Sequence, residues 1–243
     1  MPPEQPATPN AAQPITELTD PRALTILSTE HWSQLSARSL AYNEAFTRGG
    51  MFLTFLSASL VALALFAQGM SFGETFLTIA AIVLAFDFVI GLATYVRING
   101  ANVDDLRAMH GMARIRAGYL QAAPKLEPYF TSPVHDDIES VVLAYGAGPQ
   151  TSGLSLVLYG LTTSGGMIGL ITSMVGGVLI AILSLIAGIH DSLAFWIGLG
   201  GGVLVFALLV RFTFGSIPNS QGGLAALFPA PAQGAEVDRT PSA

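Results

Sequence analysis

The chain has 243 residues, 51% hydrophobic and only 11% charged, with ten Lys or Arg, sixteen Asp or Glu and a net charge of −6. That balance excludes an ordinary soluble domain and makes lipid the expected solvent for much of the chain. The absence of cysteine excludes a disulfide framework, a thiol nucleophile and a thiolate metal site, and no basic block is long enough to track a nucleic-acid backbone.

Residues 1–19 read as a disordered arm. Their first fourteen are rich in Pro, Ala, Gln and Asn, with neither the basic start nor the apolar run of a cleavable signal. A helix is predicted over 20–50, where Asp20 supplies a capping oxygen and Pro21 fits the first helical position. Leu24, Leu27, His31, Leu35, Tyr42 and Phe46 follow one face of it. Gly49 and Gly50 offer a turn before the bilayer, so this stripe either lies among headgroups or packs on other cytoplasmic helices. The polar face lacks the Lys and Arg of surface-seeking helices, which favours packing.

Four apolar stretches follow, at 51–70, 75–96, 167–189 and 193–210, each long enough to cross about 30 Å of hydrocarbon at about 1.5 Å per residue. Links of four and three residues, 71–74 and 190–192, force antiparallel hairpins over 51–97 and 166–214. All ten cationic residues lie before the first stretch, between the second and third, or after the fourth. Lys and Arg near span ends resist translocation, so both termini and the central insert, 98–165, are expected in the cytoplasm of a bacterium, with the spans in its inner membrane.

Asp87 is the one ionisable residue deep within a span. A charged Asp there costs about 2.5–3.5 kcal/mol, so it should face protein or water. A hairpin turning near Phe72 and Gly73 sets Asp87 level with residue 58, between Ser57 and Ser59. A protonated Asp87 bonded to one of these hydroxyls is structural glue; the other reading is proton or cation handling. No second carboxylate, buried Lys or membrane-depth His is present for a relay.

In the insert, a helix is predicted to carry the second span on to Ala122, stopped by Pro124, and another to begin at Ser132 and Pro133 with Asp136 and Asp137 in its first turns. His135 and Glu139 have a metal-ligand spacing, but a solvated helix start accounts for the group, and no metal site is expected. Residues 146–153 break the chain, and 154–161 are apolar but too short to span. Arg107, Arg114 and Arg116 can meet anionic headgroups or act only as topology determinants. Gly165, Gly169, Ser173, Gly177 and Ala181 recur every four residues, as do Ala194, Gly198 and Gly202. Such stripes let backbones approach closely, either within the hairpin or between copies. The tail, 215–243, is predicted to be disordered apart from a contact by 224–228.

The segment 31–44, HWSQLSARSLAYNE, with the first hairpin and the 110–130 segment containing LEPYF, resembles stretches of uncharacterised bacterial multi-pass membrane proteins. The resemblance brings no reaction and no catalytic residue. A cytoplasmic helix before a tight hairpin also looks like the small two-span modules of bacterial conflict systems, a likeness of architecture.

The expectation is therefore an all-α integral membrane protein: four transmembrane helices in two antiparallel hairpins, with cytoplasmic helices before the first span and between the second and third. Its expected role is non-catalytic, structural, scaffolding or pore-forming, as a homo-oligomer in the lipid bilayer with a further cytoplasmic protein partner allowed. No catalytic residue, cofactor or metal is expected. The alternative is a small ion or proton channel or transporter using Asp87.

Overall fold

The computed structural model describes residue 15 and residues 17–70, 73–145, 160–221 and 225–231. The expectations for 1–14, for the break at 146–153, for most of the apolar piece at 154–161 and for the end of the tail lie outside these residues. The described chain is helical: α1 (Pro21–Met70), α2 (Glu74–Ala122), a 3-10 turn (Pro124–Tyr129), α3 (Ile138–Leu143), α4 (Ser164–Ile186) and α5 (Asp191–Gln221). Four of these, α1, α2, α4 and α5, are long and apolar enough to cross a membrane.

Helix α1 begins as its sequence dictates, with Pro21 at the first position and Asp20 Oδ1 accepting the Arg22 backbone N–H at 2.8 Å. It then runs unbroken for 50 residues, about 75 Å at 1.5 Å per residue. The turn offered by Gly49 and Gly50 is corrected here: the helix predicted over 20–50 runs straight into the first apolar stretch. Each glycine costs a helix about 1 kcal/mol against Ala, but Ala45, Phe52 and Leu56 on either side belong to one core, and a Cβ on Gly49 would meet Ile98 and Ile168 at 3.9 and 3.8 Å. Packing on both sides of the glycines outweighs their local preference.

Helices α1 and α2 form one antiparallel hairpin and α4 and α5 the other, and the hairpins join through α2 against α4. The two inner helices thus carry the shared core, Leu84, Ile98, Ile168 and Val175 among it, with α1 and α5 on the flanks. Large apolar side chains such as Phe86, Met174, Val203 and Leu204 point outward, as lipid-facing residues do. Because α1 and α2 far outrun their apolar windows, they continue together as a two-helix stalk. A second small core of Met109, Met112 and Val141 ties the insert to it.

Two further expectations are corrected. Residues 131–137 are not helical; α3 starts only at Ile138, after Asp137 has capped it by accepting the Ser140 N–H at 2.9 Å. The tail is ordered past residue 215, since α5 reaches Gln221, while the contact expected of 224–228 is present, with Leu227 and Phe228 on the insert.

Candidate functional site

Asp87 is fully buried, where α2 meets α1 and α4. Ser59 Oγ on α1 donates to Asp87 Oδ1 at 3.1 Å, so the hairpin register read from the short link brings these two together. Ser57 does not join them; it is exposed and donates to the Leu53 carbonyl of its own helix at 2.7 Å. Among the described residues the second carboxyl oxygen, Oδ2, has no partner, and neither has Thr172 Oγ1 on α4, whose residue is also 0% exposed. One helical turn from Asp87, a Cβ on Gly91 would lie 2.6 Å from that Thr172 oxygen and 2.9 Å from the Phe52 ring. Only glycine lets the three helices close here. A buried oxygen left without a bond costs about 1–3 kcal/mol, so the place suits a proton on Asp87 or a small bound species better than bare hydrocarbon.

The small-residue stripes divide between two neighbours. A Cβ on Gly177 would meet the Gly198 carbonyl at 2.9 Å, one on Gly198 would meet Ala181 Cβ at 2.6 Å, and one on Gly202 the Ser173 carbonyl at 3.1 Å, so these four residues and Ala181 seat α4 on α5. Gly169 instead receives the Tyr95 ring of α2, 2.7 Å from where its Cβ would be. The split follows from geometry: four residues turn an α-helix through about 400°, so a four-residue stripe drifts about 40° per step and changes neighbours. Ser173 Oγ returns to the Gly169 carbonyl at 2.7 Å and adds no bond between helices.

Outside the apolar windows the stalk is braced by ion pairs. Asp105 on α2 is buried and accepts from Arg38 and Tyr42 of α1, the latter at 2.9 Å, and from Tyr145 beyond α3. Burial, and then the neighbouring Asp105 carboxylate, push the Tyr145 phenol far above its usual range. Nearer the membrane, Glu44 accepts from Arg97 at 2.6 Å and from Arg48 at 2.9 Å. These braces escaped sequence reasoning, yet a signal existed. The mirror about the hairpin turn that sets Asp87 level with residue 58 also sets Asp105 level with about residue 40 and Arg97 with about residue 48.

Asp136 is where the tail returns. Its carboxylate accepts the Leu227 and Phe228 backbone N–H groups at 2.9 and 2.7 Å and Arg114 Nε at 2.6 Å, while Asp137 also takes the Ala230 N–H at 2.9 Å. Burial opposes the Asp136 charge, but the Leu227 N–H, Arg114 and the Phe228 N–H together hold its carboxyl below the usual range. His110 Nε2 lies 3.7 Å away; burial first, and the Arg114 cation second, keep this imidazole below its ordinary pKa. Asp136 and Asp137 are thus engaged in holding the tail and capping α3. No family model matches the chain, and no curated protein or solved structure matches it either.

Proposed function

We propose that the protein is a non-catalytic membrane scaffold, a homo-oligomer whose copies meet along the α1–α2 stalk, with both termini on the cytoplasmic side of a bacterial inner membrane. One observation carries the reading. Leu24, Leu35 and Phe46 recur every eleven residues, about three helical turns, along the exposed edge of the α1 stripe that packs on α2, and Trp32 stands beside them farther round the helix from α2. Trp32 and Phe46 are 65% and 66% exposed. This face continues beyond the hydrocarbon, where lipid tails cannot cover it, and an uncovered apolar stripe of this kind marks a protein contact.

A second copy suits it. Copies in one membrane stand upright at one depth, so identical faces meet at identical heights. The nearby charges Arg38, Glu44 and Arg48 are already paired within the chain, so like charges do not oppose the approach. Trp32→Ser combined with Phe46→Ser should convert cross-linkable oligomers to monomers that stay folded and membrane-bound. Unchanged oligomers would refute the stalk as their seam.

The alternative is a proton or cation conductor, favoured by one specific observation: the unpartnered oxygens of Asp87 and Thr172 in the core of the spans. Liposome flux that is present in the native chain and lost in Asp87→Asn would support it over the scaffold.

A further inference from the structure

At the stalk end of the spans, α2, α4 and α5 enclose a cavity of about 300 Å³. Its two ends differ in chemistry. Toward the stalk it is lined by Asn99, Asn102, Thr163 and the first turn of α4; toward the membrane centre it is lined by Gly169 and Phe206, with Val210 between. No Asp or Glu contributes to the wall.

Asn99 is 6% exposed, and its side chain makes no hydrogen bond among the described residues, although it lines this space. Unmade hydrogen bonds on a largely buried residue are costly, so a polar group entering this cavity would find an amide available to it. Asn102 Nδ2 lies 3.5 Å from where a Cβ on Gly165 would stand, so its amide nitrogen sits beside the start of α4. At that start Thr163 Oγ1 accepts the Gly166 N–H at 3.1 Å and the Thr163 carbonyl accepts Met167, which leaves the Ser164 and Gly165 N–H groups without a carbonyl among the described residues. The amino end of a 23-residue helix carries a positive partial charge together with these free donors. Next to Val210, Arg211 has no ion pair among the described residues, whereas Arg48, Arg97 and Arg107 each hold a carboxylate.

We propose that this cavity binds the phosphate of an anionic phospholipid from the stalk-side leaflet, held by the Asn99 and Asn102 amides and the first turn of α4, with an acyl chain passing along Val210 and Phe206. The same donors would accept free inorganic phosphate, and the apolar inner wall is what favours the lipid. The proposal is independent of how copies assemble.

The test uses the full chain in nanodiscs of phosphatidylcholine, with or without phosphatidylglycerol, or with inorganic phosphate added. Lipid retained per chain is read by native mass spectrometry and stability by thermal melting. The native protein should retain phosphatidylglycerol over phosphatidylcholine and melt higher with it. Asn99→Asp, which puts a carboxylate in place of a donor, should cut that retention about tenfold, the scale of one lost hydrogen bond to a charged group. Asn102→Asp at the exposed rim does not threaten folding and should lower it in the same direction. A phosphate-induced shift in phosphatidylcholine alone that both variants abolish would overturn the lipid as the source of the anion. Equal retention of both lipids, or phosphatidylglycerol retention unchanged in both variants, would overturn the site.

Discussion

Asp87 and Ser59 share one bond across the α1–α2 seam, and the two serines near them serve different ends. Ser59→Ala should therefore weaken the hairpin by about 0.6 kcal/mol, the average for such bonds in membranes, and Ser57→Ala should leave it unchanged in a detergent unfolding titration. Asp87→Asn should keep the fold, whereas Asp87→Leu should lose about 0.6–2 kcal/mol. Asp105→Ala strands Arg38, whose side chain is 25% exposed, and should cost about 2–3 kcal/mol, less than the roughly 3–5 for a fully enclosed pair. Asp136 sets the pH dependence of the tail. Its carboxyl is held below the ordinary range in the folded chain, so the stabilisation is present above that range and disappears as pH falls through the lowered value. Hydrogen exchange at the Leu227 and Phe228 amides should accordingly stay slow at neutral pH and quicken only in strong acid. Quickening near pH 6 would place control with His110 instead.

At the scale of elements, the register of the first hairpin was legible because a four-residue link leaves a helix pair few alternatives, and Ser59 was within reach of that argument. The continuity of α1 was not legible. Two adjacent glycines are a local signal for a turn, and only the contacts of Ala45, Phe52 and Gly49 with α2 and α4, which lie far away in the chain, override it. The start of α3 was hidden likewise; a contact by 224–228 was legible from its apolar residues, but its partner was not, since Asp136 is satisfied by amides about ninety residues away. A Cβ added to Gly50 would have nothing within 4 Å, so in a continuous helix Gly50→Ala should stabilise by up to about 1 kcal/mol. No gain on thermal melting would mean that α1 bends there. In the second hairpin, Gly177→Leu or Gly198→Leu should cost about 1–3 kcal/mol and unfold the monomer, because the two backbones already touch at these points. Oligomers that merely dissociate into folded monomers would place the contact between copies.

For the whole molecule, the distribution of charge and the length of α1 act together. The apolar windows make four helices long and apolar enough to cross a membrane, and the braces at Glu44 and Asp105 carry the first pair onward as one body. Reporter tags at the amino terminus, Gln150 and Ser242 should lie in the cytoplasm, and tags at Gly73 and Asp191 outside. Because the chain has no cysteine, one introduced thiol reports only on encounters between copies. Ser39 is exposed among Trp32, Leu35 and Phe46, and Ala37 is exposed on nearly the opposite side of α1. The most direct measurement is oxidative cross-linking in native membranes of Ser39→Cys against Ala37→Cys. Copies that meet along the stalk face give disulfide-linked dimers from Ser39→Cys and few from Ala37→Cys; equal yields, or none from Ser39→Cys, would contradict the scaffold.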